Sequence, residues 1–140
     1  MHRAKGFTLA ELLIAIAILG ILASLALPRL FPQTERARVS EAVNTLGAIR
    51  QGEASYFLDH GVYFTVNAAD PNTTWNNIGM DNPNNQSVYF TYSVAAGSPA
   101  TTFVATGTRT AVNDGGGNVG RTVTLTDAGI WGGTHPSRPT

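Results

Sequence analysis

The chain has 140 residues, enough for one ordinary domain, and its formal net charge is zero. A neutral balance argues against the basic surface that binds nucleic acid, so we expect no nucleic-acid partner. The sequence has no cysteine, which excludes disulfides and thiolate metal sites. Charged residues make up only 13% of the chain, below the roughly 25% of soluble domains, which is typical of a chain with a membrane segment.

The first predicted element is a membrane-spanning helix within KGFTLAELLIAIAILGILASLALP, residues 5–28. Residues 7–27 carry one charged side chain, that of Glu11, and are otherwise almost wholly apolar. A helix of this length measures about 31 Å, close to the ~30 Å hydrocarbon core of a bilayer. The alternative is a buried core helix, but a domain of this size rarely hides so many consecutive uncharged residues.

A short basic leader precedes the apolar run and contains His2, Arg3 and Lys5. A secretory signal peptide would be cut after its apolar run, at small residues, and SLALPRLFP does not supply such a site. The better cut lies before the run, between Gly6 and Phe7. Cleavage there removes the leader, residues 1–6, and leaves the hydrophobic helix on the mature protein.

These residues carry a resemblance to the type IV pilin superfamily, which includes type IV pilins and the pseudopilins of type II secretion and competence systems. Gly6 matches the residue before the family's cut and Phe7 the new N-terminus. Glu11 matches the carboxylate at the fifth mature position. Pro28 matches the proline that ends the apolar stretch, and Gly20 a helix-weakening glycine within it.

The resemblance implies a structural protein and a sequence of events. A prepilin peptidase cuts after Gly6 and N-methylates Phe7. The subunit then waits in the inner membrane, among lipid, and the cationic leader favours a cytoplasmic N-terminus. An inner-membrane assembly platform adds it to a helical polymer of identical copies. The product is an extracellular pilus or, as the alternative, a periplasmic pseudopilus.

Glu11 is energetically costly in an apolar segment, because a carboxylate deep in a membrane span costs on the order of 2.5–3.5 kcal/mol unless it has a partner. Cleavage creates an amine on Phe7, one helical turn away. The Glu11 carboxylate and the Phe7 amine could pair within one subunit or between neighbouring subunits. The resemblance favours the neighbour, and that pairing would set the axial register of assembly. The alternative is that Glu11 reaches the membrane interface.

Three residues predict a weak point in the long helix. Pro28 and Pro32 lack the N–H that an α-helix uses, and Gly20 costs roughly 1 kcal/mol relative to Ala. We expect a bend at the membrane exit. The resemblance adds that residues 20–28 lose helical order in the filament.

Residues 29–60 predict an amphipathic helix. Its apolar side recurs at helical spacing and comprises Val39, Ala42, Val43, Leu46, Ile49, Tyr56 and Phe57. The polar residues expected on the other side are Glu35, Arg38, Glu41, Arg50 and Gln51. Thr34 is the expected N-cap, Gly61 ends the helix, and Gly47 and Gly52 weaken it.

Residues 61–87 predict a loop, which we expect Trp75, Ile78 and Met80 to pin to the domain. The acidic residues in it lack the spacing of a calcium loop, and His60 has no second ligand at metal-binding spacing, so we expect no metal site. Apolar and polar side chains alternate at 87–96, 101–108 and 120–133, which predicts strands there. Together with an irregular tail these strands form the region 88–140.

The predicted fold is therefore α+β: a long N-terminal helix, hydrophobic in its first half and amphipathic in its second, packed on an antiparallel sheet of three or four strands. The expected divisions are a leader (1–6), a membrane or filament-core helix (7–28), an amphipathic helix (29–60), a loop (61–87) and a sheet with its tail (88–140).

Three classes of function fit this architecture: a filament subunit, an enzyme and a membrane-anchored binding module. The sequence has no GxSxG and no phosphate loop, and DGGGNVG (114–120) lies between strands, where a hairpin turn explains it. We therefore expect no catalytic activity and no cofactor. The usual pilin has two cysteines closing its C-terminal region, and this chain has none. That departure shifts weight toward pseudopilins or toward pilins stabilised in another way. Major pseudopilins of type II secretion typically carry an acidic calcium site near the C-terminus, where this chain has only Asp127, so the pseudopilin assignment is not supported either.

Overall fold

A computed structural model of the chain describes residues 6–114 and 116–140, with side chains except at 27–32. The leader cations therefore lie outside the described residues, as do the side chains of Pro28 and Pro32. The chain divides into two compact units, one ending at Thr34 and one beginning at Glu35. A single helix, α1 (Leu9–His60), contributes to both units.

In the first unit α1 presents its apolar side chains to the surroundings on every side. The stretch Leu9–Ala26 is long and apolar enough to cross a membrane, and none of it is buried. Helical backbone continues without a break across Gly20, Pro28 and Pro32 in the single chain. Loss of helical order in a filament stays a prediction, because it concerns the assembled state.

In the second unit α1 buries one face against the sheet. Val39, Ala42, Leu46 and Ile49 recur at intervals of three or four residues and are at most 3% exposed. The predicted apolar side is thus confirmed for these four residues, and Val43 and Tyr56 pack against the core while partly buried; Phe57 is half-buried outside the core cluster. Thr34 lies inside α1 rather than at an N-cap, because the helix does not restart there.

The helix ends where the glycine signal predicts. Its last residue is His60, and Gly61 follows with a φ of 72°. The Gly61 N–H donates to the Phe57 carbonyl at 2.8 Å, which satisfies one of the acceptors that a helix end leaves open.

The sheet is an antiparallel meander of four strands in chain order: β1 (Phe90–Ala96), β2 (Phe103–Arg109), β3 (Thr122–Thr126) and β4 (Trp131–Gly132). Alternate side chains face α1 and form the core with it: Phe90, Tyr92, Val94, Phe103, Ala105, Val123 and Leu125. The opposite face carries mainly threonines. The predicted α+β fold with three or four strands is confirmed.

The segment between α1 and β1 covers a further part of the core. It contains a short helix, α2 (Asn72–Trp75), and two 3₁₀ turns, Asn76–Ile78 and Pro83–Asn85. Trp75 and Ile78 are buried and Met80 packs against the core, so the predicted anchors of this loop are confirmed.

Gly52 is where the loop approaches the helix most closely. A Cβ built on Gly52 would collide with the carbonyl oxygen of Ile78, whereas a Cβ on Gly47 would meet nothing within 4 Å. Glycine at position 52 lowers helix propensity but allows the loop to pack closely against α1. Gly47 has no such contact.

Gly47→Ala and Gly52→Ala should therefore shift stability in opposite directions. Gly47→Ala should raise the free energy of unfolding by up to about 1 kcal/mol, through helix propensity. Gly52→Ala should lower it by roughly 1–3 kcal/mol, because the loop must move. Denaturant unfolding of the detergent-solubilised chain, followed by tryptophan fluorescence, measures both. Equal effects of the two substitutions would contradict the packing role of Gly52.

Candidate functional site

The residues around the predicted cut lie at the exposed start of α1. Gly6, Phe7 and Thr8 precede the first helical residue, and the Phe7 side chain is 89% exposed. Nothing lies within 4 Å of a Cβ built on Gly6. The Gly6–Phe7 peptide bond therefore lies in irregular, accessible backbone.

Thr8 and Glu11 close a reciprocal capping box at the first turn of α1. The Glu11 carboxylate accepts the Thr8 N–H at 2.8 Å and the Thr8 hydroxyl at 2.9 Å. The Thr8 Oγ1 in turn accepts the Glu11 N–H at 3.2 Å. The Glu11 carboxylate is thus bound to Thr8, not to Phe7. We did not predict this role of Thr8, although Thr-x-x-Glu is the signature of a capping box.

A second site is a buried ion pair in the second unit, formed by Glu35 of α1 and Arg109 at the end of β2. The Arg109 Nε donates to one Glu35 oxygen at 2.7 Å, and its Nη2 donates to the other at 3.3 Å. Arg109 is 1% exposed. Its Nη1 donates to the carbonyls of Tyr89, Thr110 and Val112, so the guanidinium has a partner on each nitrogen.

Arg38 and His135 complete the cluster around the same carboxylate. Arg38 donates to Glu35 at 2.9 Å and to the Asn113 carbonyl at 2.8 Å. The His135 ring, which is fully buried, places Nε2 3.1 Å from Glu35. Because its Nδ1 accepts the Ser137 N–H, the proton belongs on Nε2, which donates to Glu35. The predicted irregular tail is therefore tied to α1.

The expectation that Glu35 and Arg38 face solvent is wrong for Glu35, which is 8% exposed, and Arg38 is half-buried beside it. Burial alone would raise the pKa of Glu35. The hydrogen bonds from Arg109, Arg38 and His135 outweigh that effect and lower it from 4.5 to about 2. The carboxylate is thus held ionised.

Glu53 is the opposite case on the same helix. It is fully buried, and its Oε2 accepts only the Phe64 N–H, at 2.9 Å. Its Oε1 has no partner among the described residues. Burial raises the pKa of Glu53 from 4.5 to about 7, although the bond from Phe64 works in the other direction. The group is therefore poised to titrate near neutral pH.

The sequence did contain a signal for both buried glutamates. At 100° per residue, positions 35, 39, 42, 46, 49 and 53 share one face of a helix. Glu35 and Glu53 are thus the two ends of the apolar stripe. Of the partners of Glu35, Arg109 and His135 lie 74 and 100 residues away and have no such signal.

The residues weighed for metal binding have other contacts. His60 stacks on the Tyr56 ring with centroids 3.9 Å apart. Asp70 accepts the Asn67 N–H, and Asp81 accepts the Asn72 amide. Within residues 6–114 and 116–140 no three His, Asp or Glu side chains form a group suited to a metal ion.

Two family models match the chain. The one described as a prokaryotic N-terminal methylation motif matches residues 1–27. The one described as pilin, a bacterial filament, matches residues 35–134, which is more than two thirds of the chain.

Similar proteins include fimbrial protein EcpC of Eikenella corrodens, 48% identical over 46% of this chain and 42% of that protein. Type IV major pilin protein PilE1 of Neisseria gonorrhoeae is 48% identical over 46% of this chain and 30% of its own length. The chain thus spans less than half the length of these two relatives. A solved type IV pilin from Shewanella oneidensis aligns over 69% of this chain and 88% of that one, with 17% identity and a TM-score of 0.47.

The two buried glutamates predict a stability maximum in mildly acidic solution. Glu35, with a lowered pKa, stabilises the fold above pH 4.5, and this contribution is lost as pH falls toward 2. Glu53, with a raised pKa, stabilises it below pH 4.5, and this contribution is lost as pH rises through 7. Each is worth on the order of 3 kcal/mol. Chemical denaturation of the solubilised chain from pH 3 to 9 measures both limbs.

Glu35→Gln and Glu53→Gln are matched variants for this profile. Glu35→Gln should destabilise the protein strongly at neutral pH, because it leaves the buried Arg109 charge without a counter-ion, and should flatten the acid limb. Glu53→Gln should flatten the alkaline limb and raise stability above pH 7. Unchanged limbs in both variants would show that other groups set the profile.

Proposed function

The chain belongs to the pilin family, and we propose that it is the structural subunit of a type IV pilus, made as a precursor, held in the inner membrane and polymerised through its N-terminal helix. The single observation that carries the proposal is the arrangement at the N-terminus. An accessible Gly6–Phe7 bond is followed within one turn by Glu11 and then by a wholly exposed apolar helix. The methylation-motif match covers this same stretch.

The exposed apolar helix supports both an anchored and an assembled state. Its side chains, such as Leu9 at 80% and Leu25 at 67% exposure, must be removed from water. Lipid covers them in the inner membrane before assembly, with the cationic leader on the cytoplasmic side. Neighbouring copies of the same helix cover them in the filament, which is extracellular.

The capping box stabilises the Glu11 carboxylate before assembly. In the precursor, Thr8 supplies the carboxylate with two short hydrogen bonds. Cleavage by a prepilin peptidase frees the amine of Phe7, which is methylated and remains cationic. During assembly the Glu11 carboxylate of an incoming subunit exchanges its bonds to Thr8 for the Phe7 amine of a neighbour.

The other candidate functions, an enzyme, a pseudopilin and a membrane-anchored binding module, have less support. Pilins are structural proteins, so a catalytic function has no basis in the family. The similar proteins are named as fimbrial proteins and major pilins rather than as pseudopilins. A membrane-anchored binding module would need neither the Gly6–Phe7 cut nor Glu11.

Mass spectrometry of the protein from membranes tests the processing step. The mature chain should begin at Phe7 and carry one N-methyl group. Deleting the prepilin peptidase in the same cells is the control and should restore the full-length chain. A mature protein that retains Met1 in cells with the peptidase would contradict the proposal and favour the anchored module.

Glu11→Ala tests the assembly step. This variant should insert in the membrane and be cleaved normally, but it should yield far fewer filaments in the sheared fraction, because the neighbour's amine loses its counter-ion. Electron microscopy and immunoblots of sheared and membrane fractions measure this. Thr8→Ala is the matched control: it breaks the capping box, keeps the carboxylate and should retain filaments. Normal filament number and length with Glu11→Ala would refute the pairing.

A further inference from the structure

Several grooves flank α1 in the second unit, and two of them differ in the charge of their lining residues. The loop-side groove, a cavity of about 560 Å³, lies between α1 and residues 76–80, and its α1 wall includes Gln51, Ser55 and Asp59. The tail-side groove, about 320 Å³, lies between α1 and residues 137–139, with Arg36, Ser40 and Arg138 among its lining residues.

The two grooves lie on opposite flanks of the helix. At 100° per residue, the α1 residues of the tail-side groove are centred about 110° to one side of the buried face, and those of the loop-side groove about 110° to the other. Their centres, near Ser40 and Ser55, are separated by about 22 Å along the axis. One copy can therefore present its tail-side groove to the loop-side groove of the next.

The two grooves carry opposite charge. The α1 wall of the loop-side groove holds the Asp59 carboxylate and the His60 ring, and Asp81 follows its loop wall directly, whereas no arginine lines it. The tail-side groove is lined by Arg36 and Arg138 and by no acidic residue. The two grooves are thus complementary in sign.

The charged side chains that line the two grooves have no ion pair among the described residues. Among the described residues, neither the Asp59 carboxylate nor the Arg36 guanidinium has an ion pair, and Gln51 and Ser55 have no side-chain hydrogen bond. Asp59 and Arg36 are exposed. The Arg138 guanidinium donates only to the His135 carbonyl, which leaves its charge unpaired. A second copy can satisfy these groups without breaking an internal contact.

We propose that a second copy of this chain docks its tail-side groove against the loop-side groove, pairing Asp59 of one subunit with Arg36 or Arg138 of the next. The inference rests on the proposed filament function and adds a contact between the folded units. Because the two surfaces differ, the contact is head-to-tail and extends into an open helix instead of closing a twofold dimer. Exposed ion pairs chiefly set register and partner choice, while burial of the apolar helices supplies most of the affinity.

Charge reversal tests the pairing in cells that make the full chain. Asp59→Arg alone, and Arg36→Asp combined with Arg138→Asp, should each reduce sheared filaments severalfold while leaving the membrane pool of processed subunit unchanged. Combining Asp59→Arg with Arg36→Asp or with Arg138→Asp should restore filaments. Asp59→Arg with Arg121→Asp is the matched control: it has the same net charge, but Arg121 lines neither groove, so it should not restore them.

Cysteine cross-linking tests the same contact without relying on charge. The chain has no native cysteine, so Asp59→Cys combined with Arg36→Cys or with Arg138→Cys gives an unambiguous signal. Oxidised filaments of at least one pair should run as a ladder of covalent multimers, and the single-cysteine variants should not. Wild-type filaments with no ladder from either pair, and with full assembly after charge reversal, would overturn this contact and leave the pilin function intact. A wild-type chain that forms no filaments would instead overturn the proposed function.

Discussion

The ion pair between Glu35 and Arg109 is the constraint on which the folded unit depends. Removing two charges from water costs several kcal/mol per ion, so such a pair survives only when every remaining donor and acceptor is satisfied. Arg109 meets this condition with three backbone carbonyls, and Glu35 with Arg38 and His135. Satisfying the pair therefore fixes α1, the end of β2 and the tail relative to one another.

The same cluster explains how the unit closes without cysteines. The pilins that the sequence resembles usually tie their C-terminal region with a disulfide. Here the buried His135 ring binds a carboxylate 100 residues earlier in the chain. Such a polar network is cooperative, since losing one member leaves the others buried and unpaired. Because the network depends on the charge of Glu35, its hold on the C-terminal tail is sensitive to acid, whereas a disulfide is sensitive to reduction.

Three glutamates on α1 show how surroundings decide what a carboxylate does. Glu11 binds its own helix N-terminus and is accessible to a partner. Glu35 has three cationic or N–H donors, which lower its pKa to about 2 and hold it ionised at neutral pH. Glu53 has one backbone N–H and a second oxygen without a partner, so burial favours its neutral form. The side chain is the same in each case, and the number of donors facing it differs.

The sequence by itself determined the features that depend on neighbouring residues: the N-terminal methylation motif, the apolar helix, the glycine at the end of α1 and the alternation of the strands. It even held a local sign of Glu35 and Glu53, in their phase with the core positions. Only the tertiary structure decided that Arg109 and His135 meet Glu35, and that Gly52 admits the Ile78 carbonyl. The physical reason is that helix and strand periodicity records which way a side chain faces, whereas contacts between distant segments arise only when the whole unit packs.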